Sequence, residues 1–291
     1  MADQADRLRE LAAHRLLPLR ALAVTSGKGG VGKTSLVVNL ALALGLRGRR
    51  VVVLDGDLGL ANVDVMLGLC PRYSLYEVLR GECRLEDVIL EGPANLRLIP
   101  AGSGIAELAD MDGNQRLRLV DTLRRSVAGA EFLLIDTGAG IGRGVVSLLS
   151  AADEVIVVLT PEPTSLADAY ALIKVLSENR LHPWVNLVVN RVGNATEAQQ
   201  VVRRLSMVVQ RFLDIELRYW GFVYDDPAVA KSIARQQPLM LSFPHSRAAQ
   251  QYRYLAARVL AEEVPQDGGF MRRLLRLLGS VGAGAAGPNG S

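Results

Sequence analysis

Cysteine is scarce in this chain: Cys70 and Cys83 are the only two among 291 residues. Their spacing fits neither a C-x-x-C redox pair nor a zinc site, and two thiols build no disulfide framework, so a reducing cytosol is expected. Long apolar runs are missing too. None approaches the roughly 20 residues that a transmembrane helix needs, and the opening "MADQADRLRE" has no apolar stretch of the signal-peptide kind. A strong charge of one sign is also lacking. The net charge is +3, of which residues 1–20 carry +1 and residues 264–291 carry +2, leaving 21–263 neutral. These absences exclude a secreted disulfide scaffold, an integral membrane protein and a broad nucleic-acid surface. A soluble protein, or one attached to a membrane surface, is left.

What the chain does have is apolar bulk. Hydrophobic residues make up 49% of it and charged residues 22%, enough to bury a large core as one domain of α/β size. Apolar β-rich segments at 20–26, 49–55, 95–101, 131–136, 153–160, 184–190 and 216–223 alternate with helical stretches, among them 33–48, 114–127, 165–180 and 196–213. Several of the β segments are almost continuously apolar, as suits strands covered on both faces, and the helical stretches suit crossovers. The fold class predicted is α/β: a doubly wound, mostly parallel sheet with helices on both faces. In that architecture ligands sit at the C-terminal ends of the strands.

"VTSGKGGVGKTSL" (24–36) lies between such a strand and such a helix. Gly27, Gly32, Lys33 and Thr34 fit G-x-x-x-x-G-K-T, a loop whose small residues let backbone NH groups converge on phosphate oxygens at a helix N-terminus. Lys33 would reach the outer phosphates and Thr34 would ligate Mg²⁺. Lys28 is a second lysine that a single phosphate site does not explain. Three aspartates, Asp55, Asp57 and Asp136, fall at predicted strand ends. Carboxylates there can hold the water ligands of Mg²⁺ and orient an attacking water.

Lys28, Gly29, Gly30, Val31, Gly32, Lys33 and Thr34 together resemble the deviant Walker A form of the MinD/ParA class of ATPases, and "DGDLGLANVDVMLGL" (55–69) resembles its switch I. The likeness covers about residues 20–262. It implies a P-loop fold, ATP or ADP with Mg²⁺ as ligands, and hydrolysis of ATP. By position it implies that Lys28 reaches across a face-to-face homodimer to the partner's nucleotide and that Asp57 orients the hydrolytic water. Gly29, Gly30, Val31, Gly32, Lys33, Thr34 and Ser35 would hold the phosphates, and Thr34 and Asp136 the Mg²⁺, Asp136 through water. Gly138 would lie in switch II. Asn190, Arg191 and Asp225 would lie by the adenine, although Tyr224 stands where the family usually has proline.

The two ends narrow the resemblance. "DQADRLR" (3–9) is similar to an element of the FlhG (FleN/YlxH) family of flagellar number and placement regulators, where it stimulates the GTPase FlhF. "FMRRLLRLL" (270–278) would place Phe270, Met271, Leu274, Leu275, Leu277 and Leu278 on one helical face and Arg272, Arg273 and Arg276 on the other, the form of an interfacial membrane helix. The expected organisation is a partner-activating segment (1–19), an ATPase domain (20–263), a linker (264–269), a membrane-targeting helix (270–278) and a glycine-rich tail (279–291). The expected activity is an ATP-dependent dimerising switch, cytoplasmic and peripheral at the inner face of the cell membrane in its ATP state, with flagellar switch or transcription proteins as further partners. Two relatives of the class compete: a division-site MinD, which the 3–9 motif disfavours, and a DNA-partitioning ParA, which the neutral body disfavours. A non-catalytic restraint of a flagellar transcription activator is the reading from a different class.

Overall fold

The structure, a computed structural model, describes residues 19–57, 62–102, 113–262, 269–270 and 273–274. The segment 3–9, most of the expected linker, residues 279–291 and four residues of the switch I run lie outside these.

Eight strands form one sheet in the order β3-β4-β2-β5-β1-β6-β7-β8. β1 (Arg20–Thr25), β2 (Val51–Gly56), β5 (Phe132–Thr137) and β6 (Glu154–Leu159) are buried along their whole length. Alternation explains why their sequences look uniformly apolar. Ala21, Ala23, Val52, Leu54, Leu133 and Ile135 face one core layer, while Leu22, Val24, Val51, Val53, Phe132 and Leu134 face the other. Side chains that alternate between two covered faces must be apolar at every position. β4 (Leu96–Pro100), β7 (Trp184–Val192) and β8 (Glu216–Tyr224) complete the parallel set.

One strand was not anticipated. β3 (Leu90–Glu91) pairs antiparallel with β4, and two residues are too few to show a period of two. The predicted helices are present with small changes of boundary. α1 (Lys33–Gly45) is buried over nearly its full length, so apolar residues occupy all its sides. It runs between the sheet and α10 (Arg247–Ala261). Between them in sequence lie α2 (Val63–Leu67), α3 (Leu75–Arg80), α4 (Gly113–Ser126), α5 (Arg143–Ala151), α6 (Pro163–Glu178), α7 (Ala195–Phe212), α8 (Pro227–Ala234) and α9 (Leu239–Ser242).

The N-terminal edge of the sheet carries a buried polar cluster that ties β1 to the end of the last long helix and to Arg273. Arg20 donates through Nε to Glu154 Oε1 at 2.6 Å and also bonds the Val259 carbonyl; the Asn186 amide donates to Glu154 Oε2 at 3.1 Å. Next to it, Asp153 accepts from the Ala21 amide at 2.7 Å and pairs with Arg273. Arg273 also donates to the Ala151 carbonyl at 3.1 Å. Phe270 and Leu274 are 1% and 2% exposed and belong to the core. Two of the six apolar side chains assigned to a lipid-facing stripe therefore point into the protein in this state.

Arg20 and Glu154 are 2% and 3% exposed, and removing one member of such a pair strands the other charge away from water. Arg20→Met should lower the free energy of unfolding by about 3–5 kcal/mol. Adding Glu154→Leu should restore most of it. Urea unfolding of the parent, the single variant and the double variant measures both effects.

Candidate functional site

β1 delivers the chain at Thr25 into the glycine loop, and α1 begins at Lys33, so the loop's amides converge at a helix N-terminus. Gly32 is required twice over. Its φ is +93°, in the left-handed region, and a Cβ there would sit 2.3 Å from the Asn190 amide nitrogen. That amide donates to the Val31 carbonyl at 2.8 Å, bracing the loop from β7. A Cβ on Gly29 or Gly30 would meet nothing within 4 Å. The space beside these two glycines is open, as a loop whose backbone amides receive phosphate groups requires.

The acids gather where the topology predicts. Asp55 and Asp136 are register partners at the ends of β2 and β5. Asp136 is 1% exposed; the Thr34 hydroxyl lies beside it and favours its charged form, while its Oδ1 has no partner. Burial raises Asp136 to about 7, with the Asp55 and Asp57 carboxylates adding to the effect and Thr34 and Lys33 opposing it. Burial also raises Asp55 to about 6, against the amides of Asp57 and Val63. An orphaned carboxylate oxygen beside a threonine hydroxyl and a buried lysine fits a hydrated Mg²⁺ that shares its coordination with phosphates. Among the described residues no three His, Cys, Asp or Glu side chains form an all-protein metal site. Asp57 lies at the rim of this group, its Oδ1 3.6 Å from where a Cβ on Gly138 would be. The Gly140 amide donates to the Ser26 carbonyl at 2.9 Å, which ties the segment after β5 to the phosphate loop.

The two lysines have different environments. Lys33 is 7% exposed. Lys28 stands at the rim, 39% exposed, with Nζ 2.8 Å from Glu162 Oε2 and 3.0 Å from Thr164 Oγ1. Sequence reading missed Glu162 and Thr164. They follow β6 in "TPEPT", which carries no motif, and only the order β1-β6 brings them beside the loop.

The expected base-binding residues converge as well. A cavity of about 330 Å³ is lined by Gly32, Ser35, Asn190, Arg191, Tyr224 and Asp225, among others. Asn190 lines it, but its amide nitrogen is committed to Val31 and its Oδ1 accepts from the Arg191 amide at 2.9 Å. Ser35 turns its hydroxyl to Tyr252 at 3.2 Å. Tyr224, in the position where proline was expected, is held on two sides. The Arg247 guanidinium sits 3.8 Å over its ring, and Phe222 meets it edge-on at 4.9 Å between centroids.

Strand, glycine loop, helix and strand-end carboxylates define a P-loop nucleotide hydrolase. Residues 22–239 match the family described as CobQ/CobB/MinD/ParA nucleotide binding domain. The chain belongs to that family, and it is an ATPase of the MinD/ParA type. It is 42% identical to the antiactivator FleN of Pseudomonas aeruginosa over 250 residues, 86% of this chain and 89% of that one. It is 33% identical to the flagellum site-determining protein YlxH of Helicobacter pylori over 267 residues, 89% of this chain and 90% of that one. Among solved structures, the septum site-determining protein MinD of Pyrococcus horikoshii complexed with Mg-ADP superposes with a TM-score of 0.65 at 28% identity, covering 85% of this chain and 99% of that one.

The raised carboxylates give the metal-free protein a pH dependence. Unfolded Asp136 ionises above its ordinary 3.8, whereas folded Asp136 keeps its proton up to about 7. The folded state binds more protons between those values, so stability falls as pH rises through that window. Parent protein in chelator should lose on the order of 2–4 kcal/mol to this group between about pH 4 and pH 8. Asp136→Asn should flatten the fall, exceed the parent in stability at the alkaline end, and lose Mg²⁺-dependent ATP hydrolysis. Denaturant unfolding across that range checks the sign.

Proposed function

We propose that this ATPase is a dimerising switch that regulates the number and placement of flagella at the membrane, in keeping with its FleN and YlxH relatives. The observation that supports the reading best is the division between the lysines. Lys33 is enclosed beside its own loop, and Lys28 is at the rim, where a facing subunit could meet it. In this reading the pair of Lys28 with Glu162 and Thr164 is exchanged for the partner's nucleotide when two ATP-bound subunits close face to face.

Mg²⁺, bound with ATP, would supply positive charge that offsets the charge developing on the phosphates. Thr34 and, through water, Asp136 would hold it. Lys33 neutralises the outer phosphates, the amides of Gly29 to Thr34 orient them, and Asp57 orients the attacking water. Arg191, Asp225 and the Tyr224 ring border the base. The hydrogen bond from Gly140 to Ser26 carries the loss of the outer phosphate into the segment after β5. Chemistry serves as a timer for the dimer.

Residues 3–9 would stimulate an FlhF-type GTPase, and residues 270–278 would attach to an anionic membrane. The docked Phe270 and Leu274 support a gated version of that attachment. The same side chains cannot fill the core and enter lipid together, so membrane binding requires the tail to leave Ala151 and Asp153. Two released tails in one dimer then act jointly, which multiplies a weak attachment by on the order of 10²-fold or more. Restraint of a transcription activator is a compatible output, since the FleN relative is named an antiactivator.

Sizing chromatography with ATP tests the switch. Asp57→Ala should bind ATP, turn it over at a small fraction of the parent rate and accumulate as dimer. Lys28→Ala should bind ATP and stay monomeric. A Lys28→Ala protein that dimerises as well as the parent would remove the two-lysine argument.

A further inference from the structure

Tyr252, in the second turn of α10, is 1% exposed. Burial pushes its hydroxyl up to about 12, and the Asp226 charge adds to the effect, so the phenol keeps its proton. That proton has to be spent inside the protein, because a buried donor left unmatched forfeits the bond it made with water. Among the described residues its partner is the Ser35 hydroxyl, 3.2 Å away. Ser35 is itself held in place. It lies in the first turn of α1, 6% exposed, and its carbonyl accepts from the Asn39 side-chain amide at 2.8 Å. Asn39 Oδ1 in turn accepts from the Met240 amide at 3.0 Å. Helices α9 and α10 therefore both brace this one serine.

The bond between the two hydroxyls can run in either direction, and the directions are not equal. Each hydroxyl has one proton and lone pairs that accept. If Ser35 donates, the Tyr252 proton is left without an acceptor in a closed environment, which is costly. If Tyr252 donates, its proton is satisfied and the Ser35 proton is free to point elsewhere. Ser35 lines the cavity shared by Gly32, Asn190, Arg191, Tyr224 and Asp225. Gly32 belongs to the phosphate loop and the other four to the base side, whereas Lys33 and Thr34 are assigned to the outer phosphates and Mg²⁺. Ser35 thus stands where the loop meets the base cavity, the place of the phosphate nearest the sugar.

We infer that Tyr252 is a positioning residue for the nucleotide: it donates to Ser35 and so aims the serine proton at a non-bridging oxygen of the α-phosphate. This rests on the reading of Ser35 as a phosphate ligand. A hydroxyl that accepts one hydrogen bond while donating another is polarised along the chain, and the last bond of this chain ends on an anion, which places it among the stronger kind. ATP and ADP share the α-phosphate, and it is not the group transferred to water. The relay therefore binds both nucleotides alike, and adds to affinity rather than to the rate of hydrolysis.

Equilibrium titration of the full chain with ATP and with ADP, alongside steady-state hydrolysis, tests the relay. Tyr252→Phe keeps the ring and removes one oxygen. It should raise Kd for both nucleotides by on the order of fivefold to tenfold, and raise KM while kcat stays within about twofold of the parent. Thermal unfolding of the nucleotide-free protein should change little. Ser35→Ala should lose at least as much affinity, and the double variant no more than Ser35→Ala alone, since Tyr252 acts through Ser35. The parent should prefer one diastereomer of ADP that carries sulfur on the α-phosphate, and Tyr252→Phe should lose most of that preference. Losses that add in the double variant would overturn the relay, as would a Tyr252→Phe protein that binds both nucleotides like the parent while Ser35→Ala binds weakly; the Ser35 contact would then stand without it. A nucleotide-free Tyr252→Phe protein that unfolds well below the parent would also overturn it, by making the bond a structural one. A Ser35→Ala protein that binds as tightly as the parent would remove Ser35 as a phosphate ligand and the relay with it.

Discussion

Two carboxylates on adjacent strands, Asp55 and Asp136, occupy matched positions in a site where burial disfavours their charge. Much of the nucleotide end follows from that constraint. A low-dielectric pocket that holds aspartates against their ordinary ionisation gains most from a divalent cation, and the neighbouring loop offers amides and a lysine suited to phosphates. Cation and nucleotide therefore belong together energetically. The Thr34 hydroxyl, beside Asp136, lies where the two requirements meet.

The opposite edge of the sheet solves a different problem. There the chain enters at Arg20 and leaves after Glu262, and one buried network fastens both points through Glu154 and the Val259 carbonyl. Asp153 extends that network to the tail through Arg273 and to β1 through the Ala21 amide. The segment carrying the 3–9 motif and the segment carrying the amphipathic helix thus both join the body at one edge. In the switch reading, nucleotide chemistry at one end of the strands and attachments at the other would communicate through the sheet, and β1 and β6 run directly between the two ends.

The switch reading needs groups that can exchange partners at little cost. Lys28 and Glu162 meet in solvent, where an ion pair contributes little and is easily traded. The tail contact is different in kind: Phe270 and Leu274 are fully buried, so releasing them exposes apolar surface that must be covered again by lipid or by another face. A cheap exchange at the nucleotide and a costlier one at the tail would make attachment the slower, more decisive event.

The sequence alone determined the doubly wound sheet, because strands covered on both faces must be apolar at every position, and it determined the phosphate loop, because its residues are contiguous and chemically demanding. It also located Asp55, Asp57 and Asp136, since strand ends are where such a sheet places ligands. It did not reveal β3, whose two residues carry no periodicity. Nor could it show that Glu162 and Thr164 receive Lys28, that Asn190 braces Val31, or that Arg247 and Phe222 hold Tyr224, for these partners are distant in sequence and joined only by strand order and packing. The tail shows the division most clearly. Its amphipathic pattern was legible, but a hydrophobic stripe specifies only that it must be covered. Tertiary structure decided that, in this state, the cover for Phe270 and Leu274 is the protein's own core, because Asp153 and the Ala151 carbonyl stand where Arg273 can bond them as the stripe docks.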